Sequence, residues 1–221
     1  MARMTSCAGE NGASRPLRRD AARNRELILE AAAEVFAELG IEAGYDEIAR
    51  RACVGVGTVY RRFPERGELV RALFASRIEE IVAIAEEAAH RPDSFDALAW
   101  FLERALERQV ADRGLKEVMV GSVAKDESRA LGRELLGPVM ERLVARAQAD
   151  GGLRADIDVA DLGLQLMVMS SMSTAAQPDL WRRYLALLLD GLRSHPDQRP
   201  LPVAAPDSDA LPGLMCNLEG R

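Results

Sequence analysis

The spacing of apolar residues is helical along most of the chain. The clearest early repeat recurs at every fourth position, the period of one face of an α-helix, and its members are Leu27, Ala31, Val35 and Leu39. Gly40 follows the repeat and is a natural C-cap. A first helix is therefore predicted from Ala21 to Gly40.

Two short helices follow, separated by a tight turn. The first spans about Tyr45–Ala52, with Gly44 as a tolerable N-cap. Cys53-Val54-Gly55 forms the turn, and Val56–Phe63 forms the second short helix. Pro64 ends this helix, because the residue before a proline resists the helical conformation.

The rest of the chain continues the helical pattern. Gly137-Pro138 must either kink one of these helices or begin it anew. The alphabet is biased towards Ala, Leu, Glu and Arg, which are good helix formers. The chain is therefore predicted to be all-α, with about nine helices. Those after the first three are Arg66–Ala89, Ser94–Val110, a short helix between Gly114 and Gly121, Glu127–Ala149, one capped by Asp158, and Asp179–Leu192.

The charge is distributed unevenly along the 221 residues, whose formal net charge is −6. Met1–Arg66 carries 11 Lys and Arg against 10 Asp and Glu, a net charge of +1, and the remainder carries 18 against 25, a net charge of −7. This balance argues against non-specific nucleic-acid binding but permits a local basic face. Nearly every cation is an arginine, which suits phosphate contacts, although a GC-rich genome gives the same bias.

The sequence lacks the signatures of several protein classes. Cys7, Cys53 and Cys216 are too far apart for a disulfide framework or a metal site, and His90 and His195 are isolated. No metal or cofactor is expected. No apolar run approaches the length of a membrane span, and the front end is polar, so a reduced, cytoplasmic protein is predicted.

The two short helices with their turn form a helix-turn-helix pattern. The second helix of such a unit presents its first turns to base edges in the major groove of DNA. Small residues and hydrogen-bond donors occupy one side of it, and Val59 and Phe63 provide apolar anchors on the other. The side that would face DNA contains Gly55, Gly57, Thr58, Tyr60, Arg61 and Arg62. An ordinary helix with a solvated arginine face explains the arginines alone, but not the whole combination.

The segment from about Arg23 to Leu73 resembles the DNA-binding domain of TetR-family (tetracycline-repressor-like) transcriptional regulators. The matching stretches are ILEAAAEVFAELG, DEIARRA and VGVGTVYRRFPERGELV. Leu135–Asp156 resembles, less closely, the body of one TetR subgroup. Residues 1–20 show no periodicity and are predicted to be a disordered arm, and the proline-rich residues 194–221 are predicted to be a disordered tail. The resemblance implies a DNA-binding domain over 21–66, with its motif at about 45–63, and an effector-binding and dimerisation domain over 67–193.

The resemblance also implies particular DNA contacts. Gly57, Thr58 and Arg62 fall where base or nearby phosphate contacts are made, and Tyr60 falls where a phenol bonds a phosphate. Arg66 is placed to hold the flanking DNA backbone. Arg61 and, from the first helix, Arg23 are further implied contacts. Arg15, Arg18 and Arg19 of the arm could enter a minor groove, and the competing interpretation of the arm is a solvated, disordered tail.

Two positions depart from the family pattern. Cys53 stands where the family has glycine, at a backbone position that commonly needs positive φ and costs another residue roughly 1 kcal/mol. A redox role for Cys53 is a minor hypothesis, since no activating partner lies nearby in sequence. Gly44 replaces the usual Ser or Thr cap, at a cost of a few tenths of a kcal/mol.

The resemblance implies a ligand-responsive homodimer that reads a palindromic operator, most simply as a repressor. The last two helices carry apolar residues on more than one side, which predicts an interface between copies, unless these residues are buried within the monomer. The interface candidates are Leu162, Leu166, Leu185, Leu188 and Leu192. The resemblance also implies a pocket for a mostly apolar small-molecule effector, although each candidate taken alone is more often plain core than a ligand contact. The pocket candidates are Phe74, Ile78, Trp100, Phe101, Met119, Met167 and Met169.

Two other classes of function compete with a regulator. An all-helical enzyme is disfavoured because no nucleophile, metal-spaced or phosphate-binding signature is present. A helical module that binds protein has the same pattern, and salt dependence separates it from a DNA-binding protein.

Overall fold

A computed structural model of the chain describes residues 14–40, 42–111, 124–172 and 176–206. Within these ranges it contains eight helices and no strand, and one isolated antiparallel bridge joins Leu153 to Arg193. The helices are α1 (Ser14–Leu39), α2 (Tyr45–Arg51), α3 (Val56–Arg62), α4 (Arg66–Ala89), α5 (Ser94–Ala111), α6 (Ala124–Ala149), α7 (Val159–Ser171) and α8 (Leu180–Leu192). The all-α prediction is confirmed. The short helix predicted between Gly114 and Gly121, with Met119, lies outside the described residues.

The first three helices and the beginning of α4 enclose their own apolar cluster. Its centre contains fully buried Phe36 of α1, Ile48 of α2, Val59 of α3 and Leu69 of α4. Burying a side chain of this size contributes roughly 1.5–3 kcal/mol, so these four contacts hold the three short elements against α4. Gly40 ends α1 with φ +82, as its place after the apolar repeat predicts.

The body is a second apolar cluster around α5. The far end of α4 and the helices α6, α7 and α8 pack against it, through residues that include Ala85, Leu102, Leu143, Leu162 and Trp181. Helix α4 belongs to both clusters, and its closest neighbour is α6. It therefore links the small front domain to the body.

Polar contacts fix the ends of the body helices. Arg146 of α6 donates to the carbonyl oxygens of Ala89 and Arg91 at 2.7 and 3.0 Å, which satisfies backbone groups at the end of α4. Asp158 caps α7 and forms a reciprocal capping box with Asp161, as its position predicts. Gly151 and Gly152 end α6, and the Cα of Gly152 lies so close to Phe95 that a Cβ would come within 3.0 Å.

Two boundaries differ from the prediction, and one of its alternatives is decided. Helix α1 begins at Ser14, so part of the predicted disordered arm is helical. Helix α6 is continuous through Pro138, so no new helix begins there, and Val139 and Met140 next to it are buried in the body cluster. Residues 194–206 were predicted to be disordered from their proline content, yet they lie against the body. The amide of Leu201 donates to Asp156 Oδ2 at 2.8 Å, which holds them there.

The dimer-interface prediction needs correction for four of its five residues. Leu162, Leu166, Leu185 and Leu192 are buried inside the body cluster of one copy, and Leu188 is half-buried against it. The alternative, burial within the monomer, holds for these four. They lie on the sides of α7 and α8 that face α5, where the apolar area is already covered.

Candidate nucleic-acid interface

Helix α3 has one side packed into the front domain and the other exposed. Val59 is completely buried and Phe63, which caps the helix, keeps 4% of its surface. Gly55 provides the extended N-cap residue, and the amide of Thr58 donates to its carbonyl oxygen at 2.8 Å. The apolar anchors predicted from the sequence therefore hold the helix in place.

The exposed side presents the groups that the sequence predicted. Gly57, Arg61 and Arg62 are exposed, and Tyr60 keeps 55% of its surface. Arg61 donates to the hydroxyl of Thr58 at 3.1 Å, so these two side chains are joined across one turn of the helix. Neither Arg61 nor Arg62 forms an ion pair with any residue in the described part of the chain. The sequence prediction missed Val56, which is 38% exposed on the same helix and resembled an ordinary core valine.

The arginines of α2 have a different role from those of α3. Arg51 contacts the carboxylates of Glu34 and Glu38 on α1, and Arg50 pairs with Glu47. The hydrogen bond from Arg51 is the main reason that the pKa of Glu38 lies below its ordinary value. These cations are neutralised within the protein, which leaves the positive charge of the motif concentrated on α3.

The turn between α2 and α3 contains the expected unusual backbone. Cys53 has φ +54, the one non-glycine residue with positive φ in the described ranges. The amides of Cys53 and Val54 still donate to carbonyl oxygens of α2, at 3.3 and 3.0 Å. The backbone conformation that the family glycine adopts is therefore kept, and the cysteine tolerates it without an adjusted turn. Its thiol is exposed, with the carbonyl oxygen of Arg51 at 4.0 Å, and a redox role stays a prediction.

Tyr45, the first residue of α2, interacts with residues of α3 and α4. The ring centroids of Tyr45 and Tyr60 are 4.8 Å apart, with their planes at 57°. Arg66, the first residue of α4, is half-buried and donates to the carbonyl oxygen of Glu42 at 3.4 Å. Burial raises the pKa of Tyr45, and the charge of Arg66 partly opposes that effect. The sequence prediction included Tyr60 and Arg66 but missed Tyr45, which carries no signal beyond being the first residue of α2.

Arg23 lies on α1 and is exposed. Its position leaves it available for the backbone contact that the resemblance implies. Arg15, Arg18 and Arg19 lie in a part of α1 whose side chains are not described.

No helix within the described residues is both long and apolar enough to cross a membrane.

Two family models match the chain. Residues 28–73 match the model for bacterial regulatory proteins of the tetR family, and residues 93–194 match the model for the SbtR-like transcriptional regulator C-terminal domain. A TetR transcription regulatory protein from Mycobacterium vanbaalenii is 36% identical, and its crystal structure superposes with a TM-score of 0.65 over 80% of this chain and 99% of that one. The chain belongs to the TetR family of transcriptional regulators.

Curated relatives agree with this assignment. The uncharacterized HTH-type regulator YhgD of Bacillus subtilis is 28% identical over 199 residues, which cover 86% of this chain and 92% of that protein. The HTH-type transcriptional repressor KstR of Mycolicibacterium smegmatis is 30% identical over 133 residues, covering 58% of this chain and 64% of that protein. Both are regulators and not enzymes, so the TetR-family member described here is a DNA-binding regulatory protein and not an enzyme.

The predicted effector-pocket residues are not all brought together. Phe74 belongs to the cluster of the front domain, whereas Phe101 and Met169 are buried in the body. Trp100 is half-buried, and the guanidinium groups of Arg91 and Arg104 lie 5.0 and 5.7 Å from its ring centroid. Its aromatic face therefore contacts arginines. Of the remaining candidates, Ile78 and Met167 are half-buried, and Met119 lies outside the described residues.

A small cleft lies between α1 and α4, apart from most of these candidates. Its volume is about 150 Å³ and its lining is largely charged: Glu26, Leu29, Glu30, Leu73, Ser76, Arg77 and Glu80. Glu80 also accepts a hydrogen bond from Arg108 of α5 at 2.5 Å, which connects the cleft wall to the body. The chemistry of this lining differs from that expected for a mostly apolar effector.

The last two helices expose an apolar stripe, of which the sequence prediction named Leu188 alone as an interface residue. On α8, Tyr184 and Leu187 keep 40% and 59% of their surface, and Gly191 continues this stripe one turn later. On α7, half-buried Leu164, Met167 and Val168 follow the same i, i+3, i+4 spacing. We refer to these residues of α7 and α8, with half-buried Leu188, as the outer stripe.

Proposed function

We propose that this TetR-family protein is a repressor that binds a palindromic operator as a homodimer and is released by a small, mostly apolar effector. The observation that carries the proposal is the two-sided helix α3. Val59 and Phe63 anchor it, while Gly57 and Arg62 are exposed and Thr58 is half-buried beside them. Such a helix can enter the major groove with its first turns against base edges.

Each candidate contact residue has a role in this proposal. Arg62 and Thr58 read base edges or the phosphates next to them, and Gly57 lets the backbone approach the duplex. Tyr60 and Arg66 hold the DNA backbone on the flank of the groove, where contacts position the protein without reading sequence. Arg61 and Arg23 add phosphate contacts.

Dimerisation follows from the outer stripe and from the needs of recognition. One short helix contacts too few base pairs to select a unique site, whereas two helices related by a two-fold axis read a palindrome whose half-sites lie about one helical turn apart. Tyr184 and Leu187 are exposed apolar side chains on a helix that is otherwise packed against the body. A second copy that places its own stripe against them would cover both surfaces.

Repression and release are the remaining parts of the proposal. The relative from Mycolicibacterium smegmatis is named a repressor, which supports that direction of control. In one conformation of the dimer, the distance between the two α3 helices would not match the operator half-sites. An effector that binds this conformation more tightly would weaken DNA binding, and DNA would weaken effector binding by the same factor. Met140 and Met169 lie in the body cluster, to which the far end of α4 also belongs, and methionine side chains can adapt to an apolar molecule. A protein that acts on the chromosome is expected in the cytoplasm.

Selection of bound duplexes from a random DNA pool tests the proposal directly. We expect the purified chain to enrich one palindromic sequence and to bind it less tightly as salt is added, because phosphate contacts release counterions. A search of the native genome for that sequence then identifies the regulated genes. If the chain stays monomeric and binds no duplex preferentially at low salt, the proposal is wrong.

A further inference from the structure

The hydroxyl group of Tyr45 is an unusual feature of the front domain. Tyr45 keeps 7% of its surface, and its hydroxyl oxygen is buried without a hydrogen-bond partner among the described residues. Buried polar atoms nearly always have a partner, and an unsatisfied one costs stability. Phenylalanine would fill the same space without that cost, so packing alone does not explain a tyrosine here.

The surroundings of this hydroxyl indicate what it can bind. The half-exposed ring of Tyr60 lies against the ring of Tyr45, with centroids 4.8 Å apart. The charges of Arg66 and Glu68, at the beginning of α4, also act on the phenol of Tyr45. The proposed function gives both Tyr60 and Arg66 a contact to a DNA phosphate on the flank of the groove. The ring of Tyr45 therefore lies against one of the two residues that would hold that phosphate, and its phenol is influenced by the charge of the other.

We propose that Tyr45 is a latent contact to the DNA backbone, whose hydroxyl gains its hydrogen bond when a phosphate is held between Tyr60 and Arg66. This inference rests on the proposed function and adds a residue to its phosphate site. Phosphate oxygens accept several hydrogen bonds, and tyrosine hydroxyls are among their usual donors. The free protein carries an unsatisfied group that the complex satisfies.

The inference predicts opposite effects on stability and binding. Tyr45→Phe removes the unsatisfied hydroxyl, so the free protein should melt at the same or a higher temperature. The complex should lose one hydrogen bond in each subunit, and we expect a roughly five- to tenfold weaker affinity on every sequence. A residue that served only packing would leave DNA binding unchanged in Tyr45→Phe.

The experiment compares the full chain with Tyr45→Phe, Tyr60→Phe and the double variant. Each is titrated with the selected operator and with a random duplex of equal length, at several salt concentrations. We expect both single changes to leave the salt slope unaltered, because a phenol carries no charge. The double variant should lose less than the product of the single losses, since both hydroxyls bind one phosphate. Val203→Ala, an uncharged change at a residue that is 78% exposed in the segment after α8, is the control and should bind as the unmodified chain does.

The outcomes separate this inference from the proposed function. If the unmodified chain binds the operator and Tyr45→Phe binds it within twofold, the inference is wrong and the proposed function stands. A weaker affinity together with a lower melting temperature also overturns it, because the loss then comes from a damaged fold. If the unmodified chain binds no duplex, the proposed function fails first and the inference fails with it.

Discussion

Arg51 of α2 holds the carboxylate of Glu38 on α1 with both of its terminal nitrogens. Nη1 lies 2.9 Å from Oε1, and Nη2 lies 2.6 Å from Oε2. The same guanidinium contacts Glu34 at 3.2 Å, one turn earlier on α1. A bidentate pair fixes direction as well as distance, so it sets the angle at which α2 lies on α1. The turn and α3 follow directly from α2, and the pair therefore supports the orientation of the recognition helix.

The first prediction is that the melting temperature of Glu38→Gln falls less steeply with decreasing pH than that of the unmodified chain. Because the hydrogen bond from Arg51 lowers the pKa of Glu38, the ionised carboxylate contributes stability above its ordinary pKa of 4.5, and this contribution is lost as the pH falls through the lower pKa of the folded state. The melting temperature of Glu38→Gln should be slightly lower at pH 7, and the difference should shrink on acidification. Glu79→Gln, at an exposed carboxylate of α4, is the control and should show no such convergence.

The second prediction concerns the outer stripe. Leu187→Glu should convert a dimer to a monomer, because a charge placed in a covered apolar interface has no partner. Leu39→Glu is a matched control, since Leu39 on α1 is also 59% exposed. The mass of each variant in solution, measured by light scattering, shows whether it is a monomer or a dimer. A dimer that survives Leu187→Glu, or a monomer in the unmodified chain, would contradict the proposed interface.

The third prediction separates base reading from backbone contact on α3. Arg62→Ala should cost about 1–3 kcal/mol on the selected operator and relax its sequence preference. Tyr60→Phe should weaken operator and random duplexes by the same factor, because a phosphate is present in every sequence. For each variant, the measurement is the ratio of its affinity for the operator to its affinity for a random duplex. Equal losses on all sequences for both variants would argue against these roles.

Local signals in the sequence predicted much of this fold. Helix α4 begins and ends at Arg66 and Ala89, where a proline upstream and a His-Arg-Pro break downstream lie close to its ends. Asp158 caps α7, and the turn of the motif contains the positive φ that its alignment with a family glycine requires. Each of these features depends on a few neighbouring residues, so the sequence alone contains the information.

The errors share a different physical cause. Leu162 and Leu185 were assigned to an interface because their helices are apolar on more than one side, but periodicity does not say which side meets α5. The tail after Ser194 looked disordered because a distant hydrogen bond, from Leu201 to Asp156, leaves no local signal. Tyr45 was missed for the same reason, since its partner Tyr60 lies on the next helix. The sequence patterns therefore did not reveal these contacts between residues of different elements.

The fourth prediction tests the backbone strain at Cys53. Cys53→Gly should leave the protein equally stable or up to about 1 kcal/mol more stable, because glycine adopts positive φ without penalty but loses more freedom on folding. Cys53→Ala keeps the Cβ and the strain, so the difference between the two variants in urea unfolding isolates the backbone effect. If Cys53→Gly is clearly less stable than Cys53→Ala, strain does not matter here.

Operator affinity that is unchanged by a thiol oxidant would remove the redox hypothesis.

The final prediction concerns the segment that follows α8. Arg154 forms two hydrogen bonds with Asp156, at 2.6 and 3.0 Å, and the amide of Leu201 donates to the same carboxylate. The bond from Arg154 is the main reason, and that from Leu201 the second, that the pKa of Asp156 lies well below its usual range. The anchor is therefore complete above the ordinary pKa of 3.8 and is lost only as the pH falls through the lower folded value.

Hydrogen exchange at Leu201 measures this anchor directly. Because Pro200 and Pro202 have no amide proton, Leu201 contributes the one exchangeable backbone amide of that tripeptide. Asp156→Asn weakens both contacts to the carboxylate, and we expect the Leu201 amide to exchange roughly tenfold faster at pH 7. Asp197→Asn, an exposed carboxylate in the same segment, is the control and should leave the rate unchanged. Unchanged protection in Asp156→Asn would mean that other contacts hold this segment against the body.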